Sequence, residues 1–402
     1  MRIVAGRKDL RASWIWVLFL FTFAGFLETV FWGHLNAFTP IYLPHLGVAK
    51  QELAFWVGAS VAIAGAVGIP FLPLCGALAD RYSRQPIIVR SFFAHLVAGL
   101  LALLAGNIWI YVIARSIQSL SLGNSGRMMT TLSESVPSGR VGLAFSIMNS
   151  ASPVGAFVGP LLGGPVVDSL GFRSLLAVDV GLMALVILAL SRGYRDWFQA
   201  QDEGALLSMA LGSLEVISRS PRLRALFPAL FLLLAGWQLS FTCVPLLVTR
   251  LCGGSHPATT VGVVMGAGAL LTLLISPILG AAADRLGHWK VLLHAALVEV
   301  FLWPIPGLAS SFLSFDVAWT ALNGVASSVF ALSFSVLSGS VASEGRGRVM
   351  AFAYLPLNLG TALGPGLGSV ITRIGLLAIF PTSAVLTGCG ILVLILAQRQ
   401  RA

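Results

Sequence analysis

The sequence predicts an all-α membrane protein of twelve spanning helices in two halves of six, and three observations carry that expectation. Hydrophobic residues make up 57% of the 402-residue chain and charged residues only 10%, with a mean hydropathy of +0.91. Long apolar runs alternate with short charged clusters, which is how helices that satisfy their own backbone in hydrocarbon must read. Two separate motifs recur at almost one offset, about half the chain length. A closed β-barrel would need short alternating segments instead, and the chain has none.

Hydrocarbon about 30 Å thick takes about 20 helical residues to cross. The first half offers six runs, Trp14 to Phe38, Leu53 to Ala79, Ile87 to Gly106, Ile108 to Thr130, Val141 to Val167 and Ser174 to Leu190. The second offers Ala225 to Leu251, Thr260 to Ala283, Val291 to Ser310, Val317 to Val341, Val349 to Ile371 and Leu376 to Ala397. Ser and Gly dilute the fourth and tenth runs. The first run is too long for the core of a cleavable signal peptide and lacks a small-residue cleavage site, so it reads as the first span. The expected domains are a bundle over 1–196, a linker over 197–224 and a second bundle over 225–402. The linker contains Ala205 to Leu211, then Leu214 and Ile217, an apolar stripe at helical spacing that suits an amphipathic helix on the membrane surface or a partly helical tether.

Cytoplasmic segments hold the excess of Lys and Arg. With the N-terminus inside, twenty of the 25 basic residues fall on the inner side and only Lys50, Arg173, Arg250 and Arg373 on the outer, leaving Arg115 within a helix. Both termini are therefore expected in the cytoplasm of a multi-pass plasma-membrane protein. The net charge of +10 forms no stripe or tail of the kind that holds nucleic acid. Cys75, Cys243, Cys252 and Cys389 sit in or beside apolar stretches without metal or CxxC spacing, and read as small buried hydrophobes. No cofactor or metal is expected. No Walker, HExxH or GxSxG motif is present, so neither ATP-driven transport nor enzymatic work is supported. The Gly262, Gly266, Gly268 run lacks a βαβ context and reads as helix packing.

The repeats are specific. Gly76-Ala-Leu-Ala-Asp80-Arg81-Tyr-Ser-Arg84 is echoed by Gly280-Ala-Ala-Ala-Asp284-Arg285 at an offset of 204, and Gly159-Pro160-Leu-Leu-Gly163 by Gly364-Pro365-Gly-Leu-Gly368 at 205. Duplication of a six-helix unit accounts for both. Gly76 through Arg84 resembles the G-x-L-x-D-R-x-G-R signature of the major facilitator superfamily, with Ser83 in place of the second glycine. Arg115 with Gln118 resembles its R-x-x-Q-G motif, with Ser119 at the glycine. Gly155, Gly159, Pro160, Gly163 and Gly164 match its antiporter motif, G-x-x-x-G-P-x-x-G-G. The resemblance covers essentially the whole chain. It implies two six-helix bundles, alternating access around a central cavity, and a cytoplasmic latch at Gly76, Asp80, Arg81, Arg84, Gly280, Asp284 and Arg285. The antiporter motif implies export over the alternative of ordinary glycine-rich packing.

Ionisable residues inside spans are candidate functional groups. Arg115 and Glu28 lie at comparable reckoned depths and are expected to pair, with Glu28 carrying the coupled proton and Arg115 holding it exchangeable. Candidates for the substrate cavity are Trp32, Gln118, Asn149, Gln238 and Glu299, with Phe21, Phe31, Trp237 and Phe241 as possible aromatic lining and Asn323 and Asn358 as further amides. Asp179, His34, Asn36 and His294 rank lower; His34 lies about 240° around the helix from Glu28 and shares no face with it. The expected partners are a small-molecule substrate, protons and the bilayer, and the protein is expected to act as a monomer. The reading is drug:proton antiport of small hydrophobic or cationic compounds. Its alternatives are a symporter or uniporter for a sugar, organic anion or other metabolite, and a transporter-derived sensor or scaffold.

Overall fold

A computed structural model describes residues 7–71, 84–121, 124–193, 221–252, 254, 256–338 and 346–399, and every regular element among them is a helix. The elements are α1 (Arg7–Tyr42), α2 (Leu53–Gly68), α3 (Arg84–Leu103), α4 (Ile108–Ser119), α5 (Asn124–Ser135), α6 (Val141–Leu170) and α7 (Phe172–Gly193). After residues outside the described set come α8 (Pro221–Cys252), α9 (Pro257–Leu286), α10 (His288–Leu302), the single turn α11 (Pro304–Gly307), α12 (Phe312–Ser338), α13 (Arg346–Ile371) and α14 (Ile379–Arg399). Nine helices among the described residues are long and apolar enough to cross a membrane.

Where the residues are described, the expected spans fall on these helices; the second and tenth runs end outside the described residues, the ninth is interrupted at Trp303 between α10 and α11, and two further differences are instructive. The first helix does not stop at Phe38. Pro40 lies inside its last turn, the helix continues to Tyr42, and a 3₁₀ turn over Leu43–Leu46 closes on Gly47 at φ +82°. The fourth run is two helices, α4 and α5. The break is tolerated because its loosened carbonyls find donors: Ser119 Oγ bonds Ser116 O (2.6 Å), Ser121 Oγ bonds Gln118 O (2.8 Å) and Arg90 Nη2 bonds Leu120 O (3.2 Å). The linker stripe over 205–217 and the residues Gly76, Asp80 and Arg81 lie outside the described residues.

Glycine spacing decides which helices touch. On α6 a Cβ at Gly155 or Gly159 would run into the α1 backbone at Phe26 and Val30, and one at Gly163 into His34 and Phe38. On α13, Gly360, Gly364 and Gly368 approach α8 at Leu234, Ala235 and Leu239 in the same manner. Small residues on this four-residue period bring helix backbones together where no hydrophobic driving force separates helix from lipid. Both glycine–proline segments thus sit in equivalent contacts.

Two further contacts join first-half to second-half helices. Helix α6 packs on α9, where a Cβ on Gly262 would meet the Pro160 carbonyl oxygen and one on Gly164 would meet Ala258 and Thr259. Helix α2 packs on α13, where Gly58 faces the Pro365 carbonyl and Gly65 faces Ala362. These seams lie toward the end of the molecule at which α1 finishes, called here the distal end.

Candidate functional site

Arg115 is the side chain whose surroundings most need an account, because an uncompensated cation inside a span costs at least a few kcal/mol. It is 3% exposed. Its Nη1 donates to Gln118 Oε1 (3.0 Å), its Nη2 donates to Asn36 Oδ1 (2.9 Å), and its guanidinium lies 5.5 Å from the Trp32 ring centroid. Trp32 and Asn36 are one helical turn apart on α1, and Arg115 and Gln118 three residues apart on α4, so each pair shares a face. No carboxylate among the described residues lies within ion-pair distance of it.

Glu28 is therefore not the partner of Arg115. Its carboxylate lies 3.1 Å from His95 Nε2 on α3 and accepts from Asn124 Nδ2 on α5 (3.3 Å). The expectation failed on depth. Because α1 runs on to Tyr42, Glu28 lies four residues further from the helix end than reckoned, on the order of 6 Å. His95 is fully buried, stacks edge-on against Phe31, and its other ring nitrogen has no hydrogen-bond partner. It went unremarked in the sequence, although an ionisable residue within the third apolar run was the signal that could have found it.

The structure brings together only part of the expected cavity set. A small cavity, open at its mouth, lies between α1, α2, α4 and α13, and Trp32, Gly65, Arg115, Gln118, Asn358 and Thr361 are among its lining residues. Arg115 Nε and Gln118 Nε2 have no hydrogen-bond partner. Asn149 is exposed on α6 and Gln238 half-buried on α8, and neither lines this cavity. Glu299 does not either. It is buried on α10 with neither carboxyl oxygen in a hydrogen bond of good geometry, and Trp303 beside it gives its ring hydrogen to Thr387 of α14 (3.0 Å). Phe21 and Phe31 are fully buried packing residues, whereas Trp237, half-buried, donates to Asn323 Oδ1 (3.1 Å).

Of the expected latch, Arg84 is buried and donates to Glu134 of α5 (2.6 Å). Asp284 and Arg285 are exposed; Asp284 lies 3.3 Å from His288, and nothing lies within 4 Å of where a Gly280 Cβ would stand. At the distal end the α6–α9 seam carries a polar clasp absent from the sequence reading. Asp168, in the last turn of α6, accepts from Ala258 N (3.0 Å), Thr259 N (2.7 Å) and Thr259 Oγ1 (2.6 Å), the first turn of α9. A carboxylate there satisfies orphan N–H groups and meets the positive end of the helix dipole. The seam stripe on α6 through Gly164, Pro160 and Phe157 continues toward the N-terminal end as Pro153, Ser150 and Ser146, of which the serines are exposed.

Comparison with known proteins agrees with this architecture. The family model described as Major Facilitator Superfamily matches residues 20–302 and 226–402. The chain is 25% identical over 384 residues to a protein named multidrug resistance protein MdtG from Citrobacter koseri, covering 94% of this chain and 92% of that one. It is 25% identical over 353 residues to the protein of that name from Escherichia coli O1:K1, covering 86% of each. Among solved structures, the nucleoside transporter NupG superposes with a TM-score of 0.79 at 14% identity, over 95% of this chain and 99% of that one. The human organic anion transporter MFSD10 gives 0.71 at 17% identity, over 95% and 99%. Both likenesses speak to the fold alone.

Proposed function

The chain belongs to the major facilitator superfamily, a transporter and multi-pass membrane protein rather than an enzyme, and we propose that it exports small, mostly hydrophobic compounds in exchange for protons. The helices group in this reading into two bundles of six spans, α1 to α7 with α4 and α5 counted as one span and α8 to α14 with α10 and α11 counted as one, meeting at the α6–α9 and α2–α13 seams. Both termini lie in the cytoplasm and the bilayer is the inner membrane of the cell. Glycine-mediated closure at the distal end, with exposed Ser146 and Ser150 at the other, then corresponds to a state opening inward.

The observation that carries proton coupling is Glu28. It is a carboxylate in a spanning helix, 13% exposed, held by a titratable partner from one helix and an amide from another. Such a group exchanges a proton and trades hydrogen-bond partners when helices shift. Export rests on the glycine–proline helix α6 and on the two MdtG relatives. The test is the protein in liposomes under an imposed pH gradient, screened with lipophilic cations, weak bases, lipophilic acids and sugars. Proton counterflow with hydrophobic compounds, abolished in Glu28→Gln, is the expected result; solute uptake moving with protons refutes export.

A second reading is favoured by Arg115. A cavity holding an uncompensated guanidinium and two unused donors suits an acceptor or acidic group on an apolar body better than it suits a cation. If lipophilic acids move and cations do not, the substrate is an organic anion.

A further inference from the structure

Outside that site the structure holds a second intramembrane pair of titratable groups. His34 of α1 and Asp179 of α7 are both buried, at 5% and 1% exposure. His34 Nδ1 lies 3.0 and 2.9 Å from the two Asp179 oxygens, and Nε2 lies 3.0 Å from the Gly159 carbonyl oxygen of α6. Gly163 makes the room, since a Cβ there would stand 2.9 Å from Nε2.

The two contacts fix the proton count. A carbonyl oxygen only accepts, so Nε2 carries hydrogen; a carboxylate only accepts, so a second proton sits on Nδ1 or on the carboxyl. Either way the unit holds one proton more than a neutral imidazole beside a carboxylate. If that proton leaves, one ring nitrogen turns a lone pair toward an acceptor at hydrogen-bond distance, and a net negative charge stays buried. One of the two bonds must then break, freeing α1 from α7 or from α6.

We infer that His34 and Asp179 form a second proton-binding site, whose loaded form ties α1, α6 and α7 together and so favours the closed α6–α9 seam. The inference rests on the transporter reading only for its consequence: proton loss favours distal opening, the direction an antiporter needs after releasing a proton inward. The charged or titratable side chains on the surrounding helices are otherwise engaged or remote. Glu28 of α1 pairs with His95 of α3; Asp168 of α6 caps α9; Arg173 of α7 donates to Tyr42 Oη and Ala105 O. Helix α2 has none; those of α5, Arg127 and Glu134, and those of α9, Asp284 and Arg285, lie toward the other end; Arg250 of α8 is exposed at its distal end.

The second half supplies the control. Helices α8 and α14, the counterparts of α1 and α7, are joined by Ser240 and Ser383, which hydrogen-bond to each other at 2.8 Å, while Leu239 faces Gly368 as His34 faces Gly163. The equivalent helix pair is thus joined without a titratable group.

The experiment uses full-length protein in nanodiscs without substrate. Its native cysteines are replaced, and spin labels are placed at the exposed Leu162 of α6 and Val263 of α9. The open fraction is expected to rise at least tenfold from about pH 6 to about pH 9, as loss of one proton allows. Asp179→Asn, whose amide can donate to Nδ1 while Nε2 still donates to Gly159, should stay closed at every pH. The double change His34→Ser with Asp179→Ser should fold and lose the pH response. Glu28→Gln should keep it. A pH response that survives Asp179→Asn, or that vanishes in Glu28→Gln alone, overturns the assignment. Absence of proton-driven transport in liposomes would instead overturn the antiport reading and leave this one standing.

Discussion

Removal of the Asp168 carboxylate should open the distal seam by a predictable amount. Three donors from the first turn of α9 converge on it, all within 3.0 Å, and His256, at the N-cap position, contributes no side-chain cap of its own. Loss of a helix cap is worth about 0.5 to 2 kcal/mol, and loss of an anion at a helix N-terminus about 0.3 to 1 kcal/mol, up to about 2 kcal/mol where partly buried. These overlap rather than add, and water enters to replace some of the bonds. About 2 kcal/mol is the reasonable sum, or roughly a 25-fold change in the closed-to-open ratio at about 1.4 kcal/mol per tenfold. Asp168→Ala should show it as a longer Leu162–Val263 label distance at fixed pH. Asp168→Asn, which keeps an acceptor and loses the charge, should move the ratio by less than half as much in free energy. Identical distance distributions in wild type and Asp168→Ala would refute the view that this clasp holds the seam.

Gly262→Val should push α9 off the Pro160 carbonyl, raising the open fraction at least about tenfold and stopping transport while the protein still purifies as a folded monodisperse species; wild-type flux would show that the seam never closes this tightly. Arg115→Lys cannot reach Asn36 and Gln118 together while lying over Trp32, so solute affinity should fall about tenfold with Tm little changed, as measured by titration in nanodiscs; unchanged affinity would remove this cavity from the substrate path. Glu299→Gln should leave proton-driven flux intact and Tm equal or higher, because a buried carboxyl without good partners is no asset to the fold; loss of coupling would make Glu299 a proton carrier.

Spanning helices could be read from the sequence because hydrocarbon leaves the chain no alternative, so each apolar run had to become helix. What the runs could not give was where a helix stops inside or beyond the membrane. Pro40 failed to end α1, and the fourth run broke in two with help from serine hydroxyl hydrogen bonds that no hydropathy profile contains. The misplacement of Glu28 followed from the first. Azimuth was legible where it depended on one helix alone: His34 and Glu28, reckoned to point different ways, have separate partners on separate helices. Partner identity was not, because His95 and Asp179 reach α1 from helices whose rotation is set by packing.

The glycine–proline echo shows how much a repeat can and cannot say. Gly155, Gly159 and Gly163 seat α6 on α1 as Gly360, Gly364 and Gly368 seat α13 on α8, so the spacing encodes a packing contact common to both halves. In the second half Leu239 faces Gly368 where His34 faces Gly163, and two hydroxyls, Ser240 and Ser383, join α8 to α14 one residue further on. The first half joins the matching helices, α1 and α7, with an imidazole and a carboxylate, and a buried ion pair commonly contributes less to stability than neutral groups of similar volume. A helix pair held by a neutral hydrogen bond in one half and by an exchangeable proton in the other is explained by what the proton does. The motif glycines then serve chemistry in one half alone, Gly163 by leaving space for the ring and Gly159 by offering the carbonyl that fixes its second proton.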